Sequence, residues 1–158
     1  MTLKRIVYLS TILTMLTIAG GAMAGTDGVS NAGVKPNVNM PVTELKWGST
    51  GVVGSDGIGT LQAAHAYGDS SKGEHSTLIK MPAGFVSTVH THTDDYYGVV
   101  INGVATNTSV GEKEIPLPPG SYWFQPGGKP HVTKCISTTE CIFFISQKAK
   151  FDYLSVAH

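Results

Sequence analysis

The stretch Gly84-Phe-Val-Ser-Thr-Val-His90-Thr-His92-Thr-Asp-Asp-Tyr96, running on to Gly103, decides the fold together with a second stretch, Gly120-Ser-Tyr-Trp-Phe-Gln-Pro126-Gly-Gly128-Lys-Pro-His131. At average residue usage each set of spaced positions arises by chance in roughly one chain in a thousand of this size, so both in order form a signal. Side chains two apart on a strand share a face, and His90 and His92 therefore present two imidazoles to one point. A later strand brings His131 to the same point. Three neutral imidazoles suit Zn, Fe, Cu, Mn or Ni as one divalent transition metal, and a site with only three protein ligands leaves positions open for water or substrate. The alternative is three unrelated histidines satisfied by hydrogen bonds. Asn102-Gly103 is the strongest hairpin signal in the chain, and Pro126-Gly127-Gly128 turns the backbone so that His131 faces inward.

These spacings resemble the two signature motifs of the cupin superfamily. Within it, the runs from His90 to Gly98 and from Pro119 to His131 are similar to a poorly characterised group of secreted single-domain cupins, related to the cupin domain of zinc-binding anti-sigma factors. The resemblance covers residues 45 to 156. It implies an all-β fold, an antiparallel jelly-roll barrel of six or more strands, with the metal near its mouth and edge strands that pair in a homodimer. The sequence departs from the pattern twice: Tyr96 stands where the first motif usually carries a Glu ligand, and Cys135 where the second often ends in Asn.

Residues 1–24 read as a signal peptide: Lys4 and Arg5, an apolar run from Ile6 to Ile18, then Ala22-Met23-Ala24 before a cleavage near Ala24. The apolar run is too short to span a membrane. This places the protein in the periplasm or outside the cell, with residues 25–43 as a leader and 44–158 as the cupin domain. Processing removes two of the 11 basic residues and none of the 11 acidic ones, and with Arg5 goes the only arginine. Without arginine the bidentate grip on phosphate is missing, which argues against nucleic acid as a partner. The two cysteines, Cys135 and Cys141, are expected to form a disulfide across a hairpin in an oxidising compartment. The competing reading makes Cys135 a free thiol beside the metal.

Alternation along the chain predicts strands at Leu45–Trp47, Leu61–Tyr67, Glu74–Met81, Phe85–His92, Tyr96–Asn102, Val104–Thr108, Glu112–Leu117, Ser121–Gln125, His131–Ile136, Cys141–Gln147 and, as a last edge strand, Phe151–Val156. Gly48 to Gly59 reads as loop. The hairpin around Gly68–Gly73 sets His65 and His75 opposite each other as candidate pocket residues behind the metal. Val86 and Thr88 share a face with His90 and His92. Trp123 is a candidate wall of the pocket, with plain barrel core as its other reading.

Tyr96 bears most on the chemistry. A phenol ionises near pH 10, so it is a ligand only if the metal removes its proton. If neutral, it can position or protonate a reacting oxygen and is the candidate catalytic group; Asp94 and Asp95 are alternative carboxylates that also fit a turn. Two function classes remain open. One is a metal-dependent enzyme, oxygenase-like or hydrolase-like, acting on a small organic substrate; the other is a non-enzymatic module that binds or senses metal and a small ligand. A purely structural zinc is less fitting, because such sites fill all four positions with Cys or His.

Overall fold

The computed structural model describes residues 35–156. The expected signal peptide and the leader up to Val34 lie outside the described residues. After a 3-10 turn at Val42–Glu44 come ten strands: β1 Gly48–Val53, β2 Thr60–Gly68, β3 His75–Met81, β4 His90–Thr91, β5 Tyr96–Asn102, β6 Ala105–Ser109, β7 Tyr122–Gln125, β8 His131–Cys135, β9 Cys141–Gln147 and β10 Leu154–Ser155. They form two antiparallel sheets, one in the order β1-β2-β3-β9-β5-β7 and one in the order β10-β4-β8-β6. The all-β jelly-roll expectation is met, and no α-helix occurs among the described residues.

Alternation builds the interior. In β9, Cys141, Phe143, Ile145 and Gln147 point in; in β5, Tyr96, Gly98 and Val100; in β8, His131, Thr133 and Cys135. Met81, Phe85, Val100, Phe143 and Ile145 lie at the centre of the core. Each such side chain contributes about 1.5–3 kcal/mol by leaving water. Gly98 is required where it stands, because a Cβ there would fall inside the indole of Trp123, its partner on β7.

Several local expectations give way. Gly48–Val53 is a strand, not loop, because it finds a partner in β2 across a register shift; the expected strand at Leu45–Trp47 does not form. Glu112–Leu117 makes only a single bridge, Ala105 with Leu117. Asn102-Gly103 turns the chain as expected, with Gly103 at φ 74°. It is no hairpin, however: β5 and β6 belong to different sheets, so the turn is a corner. A Cβ at Gly103 would press on Cys141 Sγ at 2.8 Å and on the Glu140 carbonyl oxygen at 2.8 Å. Cys135 and Cys141 are joined as a disulfide with Cα atoms 5.7 Å apart. They lie on β8 and β9, so the bond ties the two sheets together rather than closing a hairpin.

Candidate metal centre

The second sheet places the histidines. His90 on β4 is the direct cross-strand partner of His131 on β8, and His92 follows two residues on. Their rings lie 4.2 Å (His90 to His131), 5.0 Å (His90 to His92) and 5.2 Å (His92 to His131) apart between centroids. All three are buried, and one nitrogen from each lies within 4.8 Å of the other two.

The other nitrogen of each ring is spent on the backbone. Nδ1 of His90 faces the Thr88 carbonyl at 2.9 Å, Nδ1 of His92 the Asp152 carbonyl at 2.5 Å, and Nδ1 of His131 the Lys129 carbonyl at 3.1 Å. A carbonyl only accepts, so each Nδ1 carries the proton and donates it, leaving the Nε2 lone pair for the shared space. Orientation of this kind is what a metal-binding imidazole needs from its surroundings. His131 is fully buried, and its Nε2 has no hydrogen-bond partner. An unpaired buried acceptor costs about 1–3 kcal/mol, and a metal ion at that point would remove the cost. The donor set therefore fits a divalent transition metal. Burial, reinforced by the neighbouring imidazoles, pushes His90 down to about 3 and His131 down to about 4, and burial also lowers His92. All three rings are neutral at pH 7, the form that binds metal.

Further contacts hold this geometry. The Pro126–Gly128 turn is fastened to the first motif by Gly127 N–H donating to Asp95 Oδ1 at 2.7 Å and Gly128 N–H to the His92 carbonyl at 2.7 Å. Asp95 is thus a turn residue, and Asp94 is also exposed; neither carboxylate belongs to the histidine cluster. The Lys129 carbonyl that orients His131 also accepts from Gln125 Nε2 at 3.1 Å, while Gln125 Oε1 takes a hydrogen bond from Asn107 Nδ2 at 2.9 Å.

Tyr96 is buried with its ring edge-on to His92, 5.0 Å between centroids. Burial raises its pKa well above the ordinary phenol range. The indole N–H of Trp123 opposes that rise slightly, although it makes no hydrogen bond of good geometry. Tyr96 is therefore a neutral phenol, a hydrogen-bond donor rather than an anion. Trp123 packs edge-on to Tyr96 and Phe143 and lines a chamber of about 70 Å³ beside His90 and His92. Its neighbours Tyr122 and Phe124 point to solvent.

His65 and His75 lie elsewhere. A register shift in β2 pairs His65 with Thr77 and His75 with Gly68, so the two are not opposite each other. His65 is exposed, while His75 is buried with Nδ1 at 2.9 Å from Thr77 Oγ1 and Nε2 at 3.3 Å from Gln147 Oε1. Both line an outer cleft of about 400 Å³, not the chamber. Val86 and Thr88 are likewise displaced: Phe85 and Ser87 face in, then the parity breaks before His90. The Ser87 hydroxyl causes this locally, accepting the Thr133 N–H at 2.9 Å and donating to the Thr88 carbonyl at 2.9 Å.

Sequence reasoning missed the role of the C-terminal strap. Tyr153 stacks on His90 at 4.1 Å and 17°, Phe151 packs against His92 at 4.8 Å, and Asp152 holds His92 by its carbonyl. The Asp152 carboxylate also accepts from the N–H and hydroxyl of Thr93 at 2.8 and 2.5 Å. Pairing of β10 with β4 carries these residues over the site; the one available signal was a Phe-x-Tyr alternation beside the terminus.

Residues 40–157 match a protein family described as Domain of unknown function (DUF4437). The chain belongs to this family. Its fold is that of the cupins, as solved structures show. The polyketide cyclase RemF from Streptomyces resistomycificus is 16% identical with a TM-score of 0.62, over 78% of this chain and 87% of that one. A predicted oxalate decarboxylase from Thermotoga maritima is 17% identical with a TM-score of 0.56, over 75% and 100%. An RmlC-like cupin protein from Ralstonia eutropha is 18% identical with a TM-score of 0.56, over 76% and 73%. At such identities the likeness is one of fold. No curated protein matches the chain significantly.

Proposed function

We propose that this cupin is a secreted metal-dependent enzyme in which His90, His92 and His131 hold one divalent transition metal and Tyr96 acts on a small organic substrate in the adjoining chamber. The observation that carries the reading is the convergence of three histidine nitrogens within 4.8 Å, one of them an otherwise unpaired buried acceptor. The chemistry such a metal supplies when bound is Lewis-acid polarisation of a substrate oxygen, or activation of water or dioxygen, which leaves hydrolase-like and oxygenase-like reactions within reach.

The chain's own residues do the rest. Carbonyls of Thr88, Lys129 and Asp152 fix the imidazole orientations before any ligand arrives. Phe151 and Tyr153 cover two of the rings and keep bulk water from them. Tyr96, held neutral by burial, donates a hydrogen bond to an oxygen on which negative charge develops. The disulfide fits the oxidising compartment that the N-terminal signal implies. Among the described residues no helix is long and apolar enough to cross a membrane.

Tyr96→Phe keeps the ring and removes the donor. The expected result is full metal content with a rate about a hundredfold lower, the usual cost of two to four kcal/mol for losing such a contact. Unchanged turnover in the mutant would remove Tyr96 from the mechanism. A non-enzymatic metal and ligand binding module is the second reading, favoured by the lack of any carboxylate among the residues lining the chamber. Reversible ligand binding without conversion, with or without oxygen, would establish it instead.

A further inference from the structure

The three imidazoles of the centre are not oriented in the same way. His90 and His131 each donate Nδ1–H to the carbonyl of a residue two positions earlier, Thr88 and Lys129, at 2.9 and 3.1 Å. Both bonds are local to the ligand's own segment. His92 instead donates to the Asp152 carbonyl at 2.5 Å, across 60 positions of sequence. One of the three ligands is therefore set only when a distant segment lies in place.

Asp152 is itself held by the motif it serves. Its Oδ1 accepts the Thr93 N–H at 2.8 Å and its Oδ2 the Thr93 hydroxyl at 2.5 Å. The carbonyl and carboxylate of one residue thus grip two successive residues, His92 and Thr93.

Around this grip the strap is fastened lightly. The Phe151 N–H donates to the Ser70 carbonyl at 2.7 Å and the Val156 N–H to the Val89 carbonyl at 3.0 Å. Between them β10 is two residues long and lies at an edge of its sheet. No residue of 151–156 is fully buried, and the last three are exposed. A segment with so little buried surface opens locally at far lower cost than the core. Its rings nonetheless lie on the ligands, Tyr153 stacked on His90 and Phe151 against His92. Both rings line the chamber and also the outer cleft of about 400 Å³.

A carbonyl on Nδ1–H makes the opposite ring nitrogen a better metal donor, and a metal on that nitrogen strengthens the Nδ1–H bond in return. At His92 this bond runs to the strap. We infer that residues 151–156 form a latch coupled to the metal centre, with Asp152, anchored on Thr93, as the positioning residue for His92: the docked strap tightens metal binding, and bound metal keeps the strap docked. By reciprocity the factor is the same in both directions. The inference rests on the metal reading of the three histidines and adds to it an opening and closing of the strap.

The test titrates the 15N-labelled protein with zinc and follows amide hydrogen exchange by NMR. Saturating zinc is expected to slow exchange of the Phe151 and Val156 amides at least tenfold and to leave unchanged that of Gly57, whose N–H closes a turn onto Gly54. Asp152→Ala keeps the backbone carbonyl but loses the anchor. It is expected to raise the zinc Kd about 10–100-fold and to lose the His92 Nδ1–H resonance while those of His90 and His131 persist. Thr93→Val should weaken zinc binding in the same direction, and Thr93→Ser should restore it.

Strap exchange unaffected by bound zinc, or wild-type zinc affinity or an intact His92 resonance in Asp152→Ala, overturns the latch while leaving the metal reading in place. If Asp152→Ala does not fold, the Thr93 pair decides, and equal zinc affinity in Thr93→Val and Thr93→Ser overturns the latch. Less than half an equivalent of zinc on the wild-type protein overturns the metal reading itself, and this inference with it.

Discussion

Two groups of histidines sit in this barrel, and they differ in how many ring nitrogens the protein has already used. His90, His92 and His131 each give Nδ1 to a backbone carbonyl and keep the other nitrogen for a shared space. His75, as deeply buried, has both nitrogens engaged, by Thr77 and Gln147. His65, its expected partner, is on the surface. Burial alone therefore does not mark a ligand. A free lone pair, held in place by its ring's other nitrogen, does.

The largest effect that separates the groups is on stability. Zinc at a thousandfold excess over its Kd should stabilise the wild-type fold by about 4 kcal/mol in denaturant unfolding. His75→Ala should show the same increment and His131→Ala none. Zinc stabilising the His131 variant fully would place the metal elsewhere.

Loss of the structural histidine should cost less and act differently. His75→Ala opens a cavity and leaves Gln147 Oε1 and Thr77 Oγ1 without their imidazole partner, a destabilisation of about 2–3 kcal/mol, with zinc content intact. His65→Ala should stay within about 0.5 kcal/mol of wild type, as exposed substitutions do. A fall in zinc content in either variant would erase the distinction between the groups.

Acid should act on the cluster on a finer scale, and in the same direction on His75, whose pKa burial also lowers. In the metal-free protein His90 and His131 titrate at about 3 and about 4 when folded, against about 6.5 unfolded. Between those limits the unfolded chain holds more protons, so stability rises with pH and is lost as pH falls from 6.5 toward 4. The slope approaches about 1.4 kcal/mol per pH unit for each of the two rings. His131→Ala should flatten the slope by about one such proton; an unchanged slope would show that His131 is not held neutral.

How much of this was legible in the sequence depended on the range of the interaction. The motif spacing marked His90, His92 and His131 because period-two geometry and the turn at Gly128 act over a few residues. Tyr96 came from its place in the first motif, where the resemblance puts a group facing the metal, and Trp123 from a run of three aromatics that local alternation alone did not assign. The His65–His75 pairing did not, since a register shift within β2 leaves no trace in hydrophobic alternation. Asn102-Gly103 showed a turn but not the change of sheet that follows it, which depends on packing against the Cys135–Cys141 connection. The strap residues Phe151, Asp152 and Tyr153 lie about sixty positions from the motif they cover, and only tertiary pairing of β10 with β4 brings them there.

The central claim is that three imidazoles, and not the fourth buried one, hold a metal. Elemental analysis of protein purified without added metal tests it most directly, on wild type, His90→Ala, His92→Ala, His131→Ala and His75→Ala in parallel. The account predicts about one equivalent of a single transition metal in wild type and His75→Ala and less than about a tenth in each of the other three. Full metal retained by any one of those three, or metal lost from His75→Ala while it remains folded, would contradict it.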